Sequence, residues 1–487
     1  MEIIQTLFIV SIFLLIAFLM FLRKIPAIIA LPLLAVSLPA VAGVSFNDII
    51  KYVIGEGTLK LNGAYTIAMF GSMLSVILQK TGVAESFIKK GAELSGDNPW
   101  LIAIIMLSLI ILLFSTLGGL GAIIMVATIV LPIMASVGIG QMTIVGIFLF
   151  GLSIGGTLNV GNWAVYRDVM KLSQQQILSF ALIIFFIAFI TAVAYITIQL
   201  YKDGVELSIK KIIIRTGIFV LSASLVFYVY NFYLPSFIKS LLIFYYSIAI
   251  TVIYYLIALS IILLFVLAIV RVILGKNENR PDVHWCTYFI PVIPLFLIMM
   301  FSFDFIAAFV VGLVYAFIST YKKKRLNLFI RSIFEGGGVV MPAVVLMFGI
   351  GMLLVAIMGP NNYNGTWPVL KLLRPLLLFI VPNNAWQYLL YFSIAAPLAL
   401  YRGPLNVWGM GYGIAAVFLA SGLNPAAVMG LLLSVGQIQG ISDPTNTHNV
   451  WLANEMRVDV QKVLYNTLPY TWVIAIAGLI AAAYYFM

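Results

Sequence analysis

Apolar runs of about 20 residues follow one another along most of the chain, separated by short polar or basic connectors. A run of that length crosses the hydrocarbon core as a helix, because each residue rises about 1.5 Å and the core is about 30 Å thick. The runs predict spans at 3–22, 25–44, 64–80, 142–171, 176–200, 212–233, 247–273, 283–301, 303–320, 337–358, 425–456 and 467–486. Two of these, 142–171 and 425–456, are interrupted by polar residues and glycines after positions 156 and 441, and predict broken helices. Two further apolar pairs, 99–114 with 121–136 and 384–400 with 406–421, have arms only just long enough to cross. Small-residue turns split them, Ser115-Thr116-Leu117-Gly118-Gly119 in one and Arg402-Gly403-Pro404-Leu405-Asn406 in the other. They predict re-entrant helical hairpins, since non-helical backbone at membrane depth survives only where protein or a cavity satisfies it. The alternative is a pair of ordinary spans with a tight turn at the far surface.

The pattern occurs twice. The first copy reads Lys51, Glu56-Gly57, Met69-Phe70-Gly71, Gly118-Gly119 and Gly155-Gly156-Thr157-Leu158-Asn159-Val160-Gly161-Asn162. The second reads Arg331, Glu335-Gly336, Met347-Phe348-Gly349, Gly403-Pro404 and Gly440-Ile441-Ser442-Asp443-Pro444-Thr445-Asn446. Paired, interrupted apolar segments in two halves mark the binding site of a secondary transporter. The chain divides into a first repeat (1–200, hairpin 99–136, broken helix 142–171), a connecting two-helix segment (201–280) and a second repeat (281–487, hairpin 384–421, broken helix 425–456). The expected fold class is an all-α polytopic membrane protein with two inverted repeats and about twelve crossings plus two hairpins.

Composition excludes a soluble domain: of 487 residues 63% are apolar and 9% charged, too little polar surface to face water. The net charge of +11 reads as loop topology signals and not as a nucleic-acid footprint. Of the 27 Lys and Arg residues, nineteen fall on one side of the scheme, seven on the other, and Arg402 at a hairpin tip. The richer side is cytoplasmic by the positive-inside rule, which inverts the second repeat and places both termini outside the cytoplasm of a cell (inner) membrane. The segment 3–22 has no basic n-region or small-residue cleavage site and reads as a retained span. Cys286 is alone, and His284 and His448 are the only imidazoles, so a zinc site of Cys and His is not expected. Segments 81–97 and 362–375 are amphipathic and are expected to lie in the two interfaces.

Broken helices supply what helix interiors cannot: freed amides for anions and freed carbonyls for cations. The expected substrate contacts are Ser115, Thr116, Gly118 and Gly119 at the first tip and Thr157, Asn159 and Asn162 at the first break. Arg402, Gly403 and Asn406 follow at the second tip, and Thr445 and Asn446 at the second break. Ser442, Asp443, Thr447 and His448 are the expected cation-coupling residues, with a sodium ion expected near Gly119, Asn159 and Asp443. Arg402 is expected to hold a carboxylate through two parallel hydrogen bonds, and Asp443 to take a proton or a cation. The alternative is that these two charges pair and lock hairpin to helix. Asn162 and Asn446 occupy matching places and read either as symmetric ligands or as half-helix caps. His448 reads as a proton relay or as a local hydrogen bond. Glu56 and Glu335 are expected in loops before a span. Trp163, Trp386, Trp408 and Trp451 read as cavity walls or interface anchors, and the aromatic stripe from Phe244 to Tyr255 as a packing or dimer surface.

With these residues in place the chain resembles the ion transporter superfamily, which includes dicarboxylate, citrate, gluconate and lactate symporters and some sodium/proton antiporters. Its Ser442-Asp443-Pro444-Thr445-Asn446-Thr447 is similar to the Ser-Asn-Thr motifs of that group, and its first tip, Ser115-Thr116-Leu117-Gly118-Gly119, lacks their Asn. The resemblance implies hairpin tips and unwound segments that enclose substrate and coupling ions, in a homodimer that moves by an elevator-like shift. The expected function is proton- or sodium-coupled symport of a small organic anion such as a carboxylate or sugar acid. A sodium/proton antiporter with Asp443 as the exchanging carboxylate is the alternative. A membrane-embedded enzyme is more remote, since it needs clustered carboxylates, histidines or a metal. Expected partners are the anion, the coupling cation, membrane lipid and a second copy of the chain. No cofactor beyond sodium and no nucleic acid is expected.

Overall fold

The computed structural model describes residues 2–487 apart from 23, 97, 207–233, 275–282, 323–325, 361–362, 364 and 408–410. The predicted span 212–233 and Trp408 therefore lie outside the described residues. In chain order the helices are α1 (Glu2–Phe21), α2 (Ala27–Val41), α3 (Phe46–Lys80), α4 (Val83–Ser95), α5 (Pro99–Phe114), α6 (Leu120–Ser136), α7 (Gln141–Thr157), α8 (Val160–Met170) and α9 (Gln174–Lys202). α10 (Ser236–Ile273) follows. Then come α11 (Val292–Phe301), α12 (Phe305–Ser319), α13 (Leu326–Met358), α14 (Pro368–Ile380), α15 (Ala385–Ala395), α16 (Tyr412–Ala420), α17 (Pro425–Ser442), α18 (Thr447–Glu455) and α19 (Val460–Phe486).

Among the described residues seven helices are long and apolar enough to cross a bilayer, or eight when α7 and α8 count as one bent span. The protein is an all-helical, multi-pass membrane protein. Both interrupted spans are present where polar residues break the apolar pattern. α7 and α8 meet at a 45° bend, and α17 gives way to α18 across Asp443–Asn446. The bend follows from the local sequence: Asn159 turns extended and its Oδ1 accepts the Gly161 amide, which caps α8 and ends α7.

Several elements differ from the apolar pattern. The region 283–301 is a short 3₁₀ turn (Trp285–Phe289) followed by the ten residues of α11, about half the length a crossing needs. Pro291 sits at the junction, where it cannot donate to a continuing helix. α12 has fifteen residues and is capped by Asp304, whose Oδ1 accepts the Ile306 and Ala307 amides. α10 and α13 run longer than their apolar cores, at 38 and 33 residues. Glu56 and Glu335 are not in loops. Glu56 closes a π-helical stretch (Ile49–Glu56) within α3, and Glu335 lies inside α13, 3.2 Å from Lys80 Nζ.

The Glu-Gly copies have a packing role. A Cβ on Gly57 would meet Met352 Cα at 2.7 Å, and one on Gly336 would meet Met73 Cα at 2.5 Å. Gly57 and Gly336 are as far apart in sequence as Met73 and Met352, so the two contacts are one contact repeated about a two-fold relation. The contacts run in opposite chain directions, so α3 and α13 pair antiparallel. The Met-Phe-Gly triplets lie one position out of this register, so backbone contact at the glycines and not the triplet sets it. α2 packs against α13 in the same layer. On the other side α17 packs on α19 and α7, and the first hairpin, α5 with α6, leans on α7.

Candidate functional site

The two interruptions and the first hairpin tip converge on one cavity of about 390 Å³. Thr116, Gly118 and Gly119 reach it from the first tip, Thr157, Asn159 and Asn162 from the first break, and Asn446 and His448 from the second. Phe114, Tyr166, Phe309 and Tyr412 give its wall aromatic surface, and Val339, Leu432 and Leu433 add aliphatic surface. Among the described residues that line it there is no Asp, Glu, Lys or Arg.

The carbonyl ends of the broken helices are already satisfied. Asn162 Nδ2 donates to Gly156 O at 2.8 Å, and Asn446 Nδ2 donates to Gln439 O at 2.6 Å. Trp163 Nε1 donates to Thr157 O at 2.8 Å and Asn449 Nδ2 to Ile441 O at 3.0 Å, while His448 Nε2 lies 3.3 Å from Gly440 O. The matched Asn162 and Asn446 thus bridge their own breaks in the same way. Trp163, fully buried, bonds the end of α7 and is not among the residues that line the main cavity.

The amide ends are different. The first turn of a helix carries donors with no partner inside the helix. α6 begins after Gly119, and α18 after Asn446, and neither residue caps its helix with a side chain. Gly119 has φ +86°, a conformation that glycine reaches without steric cost. Two uncapped N-termini therefore face the cavity beside capped carbonyls, which gives an uncharged site a preference for negative charge.

Asn159 fastens the first tip. Its Nδ2 donates to Phe114 O at 3.1 Å and Leu117 O at 3.2 Å, so the carbonyls freed at the end of α5 are held by the break of α7 and α8. Gln437 joins the two repeats. Its Nε2 donates to Thr157 Oγ1 at 2.9 Å and its Oε1 accepts from Ser153 Oγ at 2.9 Å. Gln439 Oε1 accepts the Val407 amide at 2.7 Å. These two glutamines precede the second break and escaped a reading that looked for polar residues at the breaks themselves. The signal was present: two glutamines two positions apart in an otherwise apolar helix.

The remaining predicted residues lie elsewhere. Asp443 is fully buried and accepts from five donors. Oδ1 takes the Tyr401 amide at 3.1 Å, the Thr445 amide at 2.9 Å and Thr445 Oγ1 at 2.7 Å. Oδ2 takes the Arg402 amide at 3.3 Å and Asn406 Nδ2 at 3.2 Å. Asp443 thus contacts the main chain of Arg402 and not its guanidinium. Arg402 is exposed and lines a second cavity of about 220 Å³ with Tyr401, Thr445 and the α1–α2 turn. Gly403 packs its Cα against Leu398 O, where no side chain fits. Ser442 Oγ joins Thr467 and Thr471 of α19 in a buried hydroxyl cluster. Ser115 is buried and bonds Leu112 O, and Thr447 is exposed at the start of α18. The structure brings Gly119 and Asn159 together at the main cavity and places Asp443 outside its lining.

The fold is similar to that of the YdaH transporter of Alcanivorax borkumensis, at a TM-score of 0.54 and 13% identity over 94% of this chain and 97% of that one. It is also similar to Neisseria gonorrhoeae MtrF, which belongs to a class of antimetabolite efflux pumps, at a TM-score of 0.52 and 15% identity over 94% of both chains. No family model and no curated protein sequence matches the chain. At such identities the likeness concerns the fold, which is that of membrane transporters of known structure.

Proposed function

We propose that the protein is a secondary active transporter that carries a small organic anion through the cavity between its two broken helices. One observation carries this reading: uncapped helix N-termini and side-chain-capped carbonyls meet at a single uncharged cavity. Helix amides stabilise an anion without the desolvation cost of a buried Arg or Lys. The aromatic surface of its wall suits an anion with an apolar body. Cation coupling, by protons or sodium, supplies the driving force in this reading. The sodium/proton antiporter reading is less well supported, since among the described residues no carboxylate lines the cavity and Asp443 is already engaged by five donors. The fold likeness to MtrF favours a second reading in the same class, export of an organic anion.

The test is a thermal-shift screen of the purified protein against carboxylates and sugar acids, with and without sodium, followed by uptake of the stabilising compounds into proteoliposomes. Stabilisation by anions, with flux that follows an imposed sodium or proton gradient, is the expected result. Flux indifferent to both gradients would remove the secondary-transport reading, and its direction distinguishes uptake from export.

A further inference from the structure

A second large cavity, of about 540 Å³, has nothing to do with the polar site. It lies between α1, α14 and the second hairpin. Ile9, Phe13 and Leu14 line it from α1, Leu373 from α14, and Leu398 and Phe418 from the hairpin. All but a sliver of its wall is apolar. The cavity is a half-open apolar groove, and its lining makes dispersion contacts only if something apolar lies in it. Water gains no hydrogen bonds there.

Two features say what fills it. First, α1 is a membrane span whose residues are mostly exposed, so hydrocarbon is the medium beside the cavity. Second, the one helix that brings basic side chains close to it in sequence is α14, which lines the cavity through Leu373. Arg374 is exposed next to the cavity-lining Leu373, and Lys371 lies one turn before it, paired with Glu2 at 2.9 Å. α14 is amphipathic, with Leu372 and Leu373 buried and its basic residues outward, as in a helix that lies in the interface. Thr6 of α1 donates to Leu372 O, which fixes that helix at the end of the span.

We propose that this cavity binds one acyl chain of a glycerophospholipid, with the headgroup phosphate at Arg374. The chain runs from the interface at α14 down to Pro404 and Leu405, beside the tip of the second hairpin. It thereby packs against the element that the Asp443 carboxylate holds in place.

The protein is reconstituted in phosphatidylglycerol/phosphatidylcholine vesicles that contain a phosphatidylglycerol with a diazirine in its acyl chain. After irradiation, labelled peptides are mapped by mass spectrometry. Peptides that carry Phe13, Leu398 and Phe418 are expected to label more strongly than the exposed stripe from Phe244 to Tyr255 on α10, which reports general lipid contact. Ala395→Trp places an indole inside the cavity and is expected to cut cavity labelling about tenfold or more, the loss expected when a side chain displaces two or more buried methylenes. Labelling on α10 stays unchanged. Arg374→Gln, which leaves the core intact, is expected to lower cavity labelling from phosphatidylglycerol and serves where the Trp variant does not fold. Cavity labelling no stronger than that of α10, or unaltered by Arg374→Gln and by folded Ala395→Trp, would overturn the proposal.

Discussion

At the scale of single residues, Asp443 is the group whose role differs most from its appearance in sequence. A lone acid near a lone Arg at membrane depth suggests a charge pair or a cation site. The structure instead shows a carboxylate that organises backbone. Tyr401 and Arg402 both have φ 56°, a left-handed conformation that costs a non-glycine residue about 1–3 kcal/mol. Both of their amides donate to the Asp443 carboxylate, one to each oxygen. Charge-assisted hydrogen bonds of about 1.5–3 kcal/mol each offset the strain. This was not legible in sequence because it depends on two left-handed residues that are not glycine, while the neighbouring Gly403-Pro404 drew attention to itself. Asp443→Asn replaces one acceptor oxygen by a donor that opposes the Arg402 amide and the Asn406 side chain. Hydrogen exchange at residues 401–406 is expected to rise about tenfold or more, the result of losing about one net hydrogen bond to a charged group. Unchanged protection by mass spectrometry would show that the tip is held by other contacts.

At the scale of elements, the breaks were the most legible part of the site. Glycine and amide-rich interruptions of apolar runs placed both broken helices and the first tip within a few residues of where they occur. What sequence did not show is how the elements are tied. Gln437 bridges Ser153 and Thr157 of the first broken helix from the second, a contact between positions nearly three hundred residues apart in the chain. No local pattern encodes it. Gln437→Leu keeps the volume near constant and removes the bridge. Anion affinity in the thermal-shift assay is expected to fall about tenfold, the worth of about one net hydrogen bond in a closed site, while the unfolding temperature without ligand changes little. Equal affinity would remove Gln437 from the site. The second hairpin was less legible: its first arm, α15, ends at Ala395 and gives way to a 3₁₀ turn that breaks at Leu400 and Tyr401, which leave helical geometry. Pro397 and the Asp443 contacts, and not apolar length, decide those boundaries.

At the scale of the whole molecule, α3 and α13 form a crossing in which glycines let backbones touch. The repeated Glu-Gly pairs announced that equivalence in sequence, but not its cause, since a glycine reads alike in a loop and at a helix crossing. A methyl group at Gly336 meets Met73 Cα and N and Ser72 O, backbone atoms that cannot swing aside. Gly336→Ala is therefore expected to destabilise the protein by about 1–3 kcal/mol, the usual cost of overpacking. Thermal unfolding in detergent measures this. Gly338→Ala is the control, since a Cβ there meets nothing within 4 Å. Equal melting of the two variants would contradict the close-crossing account.

The central claim is that an uncharged cavity selects anions through helix amides. Its most direct test uses proteoliposomes that hold the purified protein, offered matched compounds of one shape and different charge: benzoate, benzamide and benzylamine, and succinate and succinamide. Uptake is followed under an imposed sodium or proton gradient. The account predicts gradient-dependent flux of a carboxylate over its amide and amine counterparts, and its loss in Gly119→Ala, which strains the φ +86° turn and crowds the α6 N-terminus. Flux that favours the amine or the neutral amide, or that survives unchanged in Gly119→Ala, would contradict it.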